Sequence, residues 1–171
     1  MPEFRINISN LPQGIHEYSF DAEAAKLTLN ALYYGAVRLA ATLDKSPGQI
    51  MLRATVNASA RLMCDRCLEH FEERIGTGYT ILYVMETRST EEIQSEEEMQ
   101  VLSHDTNYID LDEDVRQYLE LSLPQKQLCR GDCAGLCPIC GRNKNNDQCS
   151  CAIEEIDPRW DALKKLSGSR N

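Results

Sequence analysis

Nowhere in the 171 residues does an apolar run approach the ~18 that a membrane-crossing helix needs, so no membrane partner is expected. The opening Met1-Pro2-Glu3-Phe4-Arg5 has no basic stretch followed by an apolar one. A cleaved export signal is therefore not expected, and a cytoplasmic location is. A basic excess is also missing: 18 Lys and Arg face 27 Asp and Glu, a net charge of −9, which excludes a protein that coats nucleic acid by bulk charge. The three histidines, His16, His70 and His104, stand at no ligand spacing. No glycine-rich phosphate loop, nucleophile elbow or metalloprotease motif occurs, and no carboxylate pair sits in apolar surroundings that would raise a pKa. The expectation is a protein that is not an enzyme and takes no small-molecule substrate. There is no internal repeat.

What is abundant is cysteine, with eight in the chain. Without export these thiols do not read as a disulfide scaffold, because the cytosol keeps them reduced; metal binding or redox chemistry accounts for them better. The acid is localised. Residues 86–120 hold 12 acidic and 2 basic residues, whereas 1–85 hold 9 and 8, and 121–171 hold 6 and 8. The densest stretch, Glu91 to Glu98, has little to bury and repels itself, so an acidic, mobile insertion is expected at 86–108. The remainder is near neutral and can approach an anionic partner.

Hydrophobic periodicity sets the expected elements. Phe4, Ile6 and Ile8 alternate with polar residues as a strand, and Asn10 to Gly14 breaks it. Ile15 to Phe20 reads as a second strand, and 22–32 as a short helix capped by Asp21. Val37 to Leu43 alternates, Asp44 to Gly48 turns, and period two then persists from Ile50 to Leu62. That length predicts a bent or bulged strand, or two strands in one run. Phe71 to Val84 reads as another long strand, bent near Gly76 and Gly78. A helix is expected over Glu113 to Leu121 with Asp112 as its cap, stopped by Pro124. Asp157 and Pro158 open a terminal helix with Trp160, Leu163 and Leu166 in one stripe. The expected fold is α+β: an antiparallel sheet or open barrel with flanking helices and a C-terminal zinc-knuckle segment. Residues 1–124 would form one domain, and 125–171 a cysteine-rich segment and terminal helix packed on it.

Cys129, Cys133, Cys137, Cys140, Cys149 and Cys151 fall within 23 residues. Cys137-Pro138-Ile139-Cys140-Gly141 has the zinc-knuckle pattern: two intervening residues let both sulfurs reach one ion, and the glycine permits the tight turn. One structural zinc held by four of the six is expected, Cys137 and Cys140 among them. Metal-free thiols and an iron–sulfur cluster are the alternatives. Cys64-Asp65-Arg66-Cys67 is read apart from this pool, as a structural turn that orients Arg66, with a share in a metal site or a redox dithiol as alternatives; Asp65 would oppose thiolate formation. Arg53, Arg61, Arg66 and Arg74 could put positive charge on one sheet face.

These segments resemble a known family. Leu62-Met63-Cys64-Asp65-Arg66-Cys67-Leu68-Glu69 resembles the Cys-x-Arg-Cys-Leu hallmark of the YceD family, the large ribosomal RNA subunit accumulation proteins of bacteria and plastids. Leu111-Asp112 with Leu119 to Pro124 resembles its acidic helix ending in Leu-x-Leu-Pro. Cys133-Ala134-Gly135-Leu136-Cys137-Pro138-Ile139-Cys140-Gly141-Arg142-Asn143 resembles the motif of its cysteine-rich branch, and Asp157 to Trp160 with Leu163 to Leu166 its usual ending. Lys144 and Asn145 depart from the common pattern, since leucine is frequent near Asn145. The resemblance implies a non-catalytic ribosome biogenesis factor that supports 23S rRNA accumulation or processing and large-subunit assembly. Its partners would be 23S rRNA or its precursor, a large-subunit ribosomal protein, or both. Arg66, Arg142 and Lys144 are the candidate contacts. The competing functions are a metal-stapled protein–protein adaptor without RNA contact and a thiol oxidoreductase using Cys64 and Cys67.

Overall fold

The computed structural model describes residues 2–86 and 99–151. The alternating apolar segments become strands β1 (Arg5–Asn7), β2 (Gly14–Glu23), β3 (Tyr33–Ser46), β4 (Gln49–Met63), β5 (His70–Met85), β6 (Met99–Leu102) and β7 (Tyr108–Asp110), followed by helix α1 (Asp112–Leu121). Strands β2-β3-β4-β5-β6 form one open sheet in that order, and β1 pairs with β7 in a small second sheet. Neighbours in the large sheet run antiparallel except β5 and β6, which are parallel. The sheet is therefore mixed rather than purely antiparallel, and among the described residues it stays open instead of closing into a barrel.

Period two buries one face of this sheet. Val37, Leu39 and Leu43 from β3, Ile50, Leu52, Val56 and Leu62 from β4, and Ile75, Ile81 and Tyr83 from β5 are all buried on it. Phe4 and Ile6 of the small sheet and Val115 and Leu119 of α1 close that face. The Tyr33 hydroxyl donates to the Leu119 carbonyl at 2.5 Å, and the rings of Tyr79 and Tyr118 stack at 4.2 Å, joining the helix to β3 and β5.

Several expectations are corrected. Residues 50–62 belong to one strand, not two, and pair with β5 without a bulge from Gln49–Val84 to Met63–His70. The irregularity lies instead in β3, between Tyr34 and Arg38, where Gly35 takes a φ of 67°. The helix expected at 22–32 is only a 3-10 turn, Ala24–Lys26. Long-range pairing wins over local helix propensity: Asp21 and Ala22 pair with Arg38 and Val37 in the sheet, and Thr28 at φ 53° breaks any continuation. Asp112 does not cap α1, whose N-terminus has no side-chain cap. Its carboxylate accepts the Glu3 and Phe4 amides at 2.9 and 2.7 Å, tying the start of the chain to the helix. The terminal helix expected at 157–166 and the acidic run Glu91 to Glu98 lie outside the described residues.

Candidate metal centres

The turn between β4 and β5 is built by its own backbone. The Leu68 amide donates to the Cys64 carbonyl at 2.8 Å, and the Cys64 amide to the Glu69 carbonyl at 2.9 Å. Leu68 takes a φ of 60°, a left-handed conformation that a branched side chain rarely adopts. The segment after Cys137 repeats this pattern position for position. Gly141 donates to the Cys137 carbonyl at 2.9 Å, Cys137 donates to the Arg142 carbonyl at 2.8 Å, and Gly141 has φ 71°. Cys-Asp-Arg-Cys-Leu and Cys-Pro-Ile-Cys-Gly are therefore the same turn. Only the second carries the glycine that advertises it.

The structure gathers all eight thiols into two groups of four: Cys64, Cys67, Cys129 and Cys133, and separately Cys137, Cys140, Cys149 and Cys151. Within each group the sulfurs lie within 4.8 Å of one another. This differs from the single site expected from the six C-terminal cysteines. Cys64 and Cys67 do not stand apart; they meet Cys133 and Cys129 at sulfur–sulfur distances of 3.8 and 3.7 Å. The spacing along the chain hid this contact, because the partners lie more than 60 residues away. A tetrahedron of metal–thiolate bonds of about 2.3 Å has edges of about 3.8 Å, so these separations suit one ion between four sulfurs. They exceed the ~2.05 Å of a disulfide, and all eight thiols are free. The two groups can hold a metal ion each.

The thiol acidities follow the two turns. Backbone amides, that of Cys129 foremost and then those of Cys67 and Arg66, aim at Cys64 and lower its pKa to about 6. The amides of Cys140 and Ile139, the equivalent positions, lower Cys137 to about 6. The Cys64 thiol is lowered despite the neighbouring Asp65, whose carboxylate accepts the Gln127 amide at 2.7 Å. Burial pushes Cys129 up to about 12, and crowding by Cys140 pushes Cys151 up to about 12. Four crowded thiols do not all ionise unaided; a divalent cation between them would supply the charge that lets them.

The group that contains Cys64 joins distant parts of the chain. Asp65 exchanges backbone and side-chain bonds with Gln127, and the Leu136 amide donates to the Arg66 carbonyl at 3.0 Å. The Arg66 guanidinium donates to the Cys133 carbonyl at 2.9 Å, so this candidate RNA contact holds the cysteine loop. Gly135 is needed at this approach: its φ is 71°, and an added Cβ would stand 3.1 Å from the Arg66 carbonyl oxygen. Asn145 was not foreseen as a site residue. Its Nδ2 donates to the Cys133 sulfur at 3.3 Å while its Oδ1 accepts from Ala134 and Arg130. Arg142 and Lys144 are exposed beside the second group. On the outer sheet face, the register places Arg53 and Arg61 of β4 with Arg74 of β5 and Arg38 of β3. Arg38 pairs with Asp21 and Arg61 with Glu72; no ion pair is found for Arg53 or Arg74 among the described residues.

Residues 52–167 match the family model described as large ribosomal RNA subunit accumulation protein YceD. The chain belongs to the YceD family. The YceD match covers β4 from Leu52 onward, β5, α1 and all eight cysteines. Uncharacterised proteins of Mycobacterium bovis and Mycobacterium tuberculosis are 33% identical over 119 residues, covering 70% of this chain and 56% of theirs. One from Mycobacterium leprae is 25% identical over 141 residues, covering 82% of this chain and 64% of its own. The chain thus spans under two thirds of these relatives. No solved structure matches. No described helix is long and apolar enough to cross a membrane.

Proposed function

We propose that this YceD-family chain is a non-catalytic ribosome biogenesis factor that supports accumulation or processing of 23S rRNA by binding that RNA, a large-subunit ribosomal protein, or both. The family match over residues 52–167 is the observation that carries this reading. Structural zinc is the metal we assign to the cysteine-rich segment: an all-thiolate tetrahedron leaves no open position for water and suits a staple rather than a catalyst. The segment has few large apolar side chains, so metal binding supplies its folding energy. A thiol oxidoreductase is disfavoured because Cys64 and Cys67 are 0% and 3% exposed, out of reach of a disulfide substrate.

The outer sheet face is the surface we assign to RNA. Ala40, Thr55, Gly76 and Gly78 keep it low, and Arg53 and Arg74 offer guanidinium groups to phosphate. Binding of the purified protein to 23S fragments and to random RNA tests the reading. Preference for 23S is expected, and Arg53→Ala with Arg74→Ala should lower the slope of log affinity against log salt by about 2. Equal binding to both RNAs, with no ribosomal protein retained, would contradict it. A retained ribosomal protein without RNA would favour the adaptor reading.

A further inference from the structure

We propose that the chain holds two zinc ions in two separate four-thiolate centres, and that the one at Cys64, Cys67, Cys129 and Cys133 fastens the cysteine-rich segment to the sheet. The proposal rests on the reading of zinc as the metal of this segment and extends it to a second ion and to a division of labour.

Three observations carry it. The first is the repeated turn: Cys64 to Glu69 and Cys137 to Arg142 make the same two backbone hydrogen bonds and place a left-handed residue directly after the second cysteine. A strained φ at Leu68 persists only where the surroundings demand that geometry. The demand shared by both turns is to aim two sulfurs at one point. The second is the grouping itself: two sets of four sulfurs with no shared member, each set compact enough for one mononuclear tetrahedral site. Sulfurs bound to different irons of a multi-iron cluster stand farther apart than the edges of such a tetrahedron, so the spacing selects a single ion over a cluster.

The third observation separates the two centres. Cys64, Cys67 and Cys133 are buried, and Cys129 half-buried; their sequence separations across the group exceed 60 residues. Closing this centre locks the β4–β5 turn to residues 127–136, alongside the Asp65–Gln127 and Arg66–Leu136 bonds. The other centre is drawn entirely from residues 137–151, and only Cys137 is buried; Cys140 is exposed and Cys149 and Cys151 are half-buried. It folds its own loop and leaves its ion open to exchange.

The test uses the full chain purified without chelator. Native mass spectrometry and elemental analysis are expected to give two zinc ions per chain. Cys67→Ser and Cys140→Ser should each leave one. A competing chelator should remove the first ion from the intact chain at least tenfold faster than the second. Hydrogen exchange at the Asp65 and Leu136 amides should stay slow in Cys140→Ser and become fast in Cys67→Ser. One zinc in the intact chain would overturn the proposal while leaving the single structural zinc standing; no zinc would overturn both. Two zinc ions lost at one rate, or equal loss of protection in the two variants, would overturn the division of labour. The measurements on the intact chain decide the ion count even if a variant fails to fold.

Discussion

Leu68 pays for the first cysteine turn with a φ of 60° while its side chain is 54% exposed, so little packing offsets the strain. Leu68→Gly should relieve it and be neutral or stabilising by up to about 1 kcal/mol, whereas a β-branched Leu68→Val should destabilise by about 1–2 kcal/mol. Chemical denaturation of the metal-loaded protein checks both. Asp114 is a second strained position. Burial, with Glu113 and Asp110 adding repulsion, raises its pKa to about 6 against the Gln100 hydrogen bond. Because the folded value lies above the unfolded one, the carboxyl stabilises the fold when protonated, below about pH 4. That contribution is lost as pH rises to 6. Asp114→Asn should therefore be more stable at pH 7 by roughly 1 kcal/mol, discounted for partial exposure, with the gap closing toward pH 4. A gap that is flat with pH would contradict this. Neither position is marked in the sequence: Leu68 lacks the glycine that made Cys137 to Gly141 legible, and Asp114 looks like one more acid in a helix's first turn.

The long strands were legible because one buried face imposes period two on β3, β4 and β5, though the thirteen alternating residues of β4 left one strand or two open. The helix expected at 22–32 fails for the complementary reason: its first residues, Ala22 and Glu23, are taken by pairing with β3, which local composition does not report. The pairing of Cys64 and Cys67 with Cys129 and Cys133 was hidden in the same way, and so was Asp112. As the anchor of the Glu3 and Phe4 amides, Asp112→Ala should cost about 2 kcal/mol and speed exchange in β1 more than in α1. The reverse order would restore it as a helix cap. Asn145, against the common leucine, orients the Cys133 sulfur. Asn145→Leu should weaken zinc at the buried centre about tenfold in a chelator competition.

At the scale of the whole molecule, the net charge of −9 conceals a division that function can use. The acid concentrates in 86–120, while the outer sheet face mixes Arg38, Arg53, Arg61 and Arg74 with Glu17, Asp21, Glu23, Asp44 and Glu72. On the proposed RNA contact, Arg53 and Arg74 would meet phosphate, with the acidic segment turned away or against a basic protein. The first cysteine turn ties residues 127–136 to the β4–β5 end of that sheet, through the Asp65–Gln127 and Arg66–Leu136 bonds. Crosslinking in cells, with both RNA and protein partners identified, tests this account most directly. The account predicts 23S rRNA or its precursor, together with or replaced by large-subunit ribosomal proteins, as the dominant species. Recovery of neither, with unrelated RNAs and proteins in their place, would contradict it.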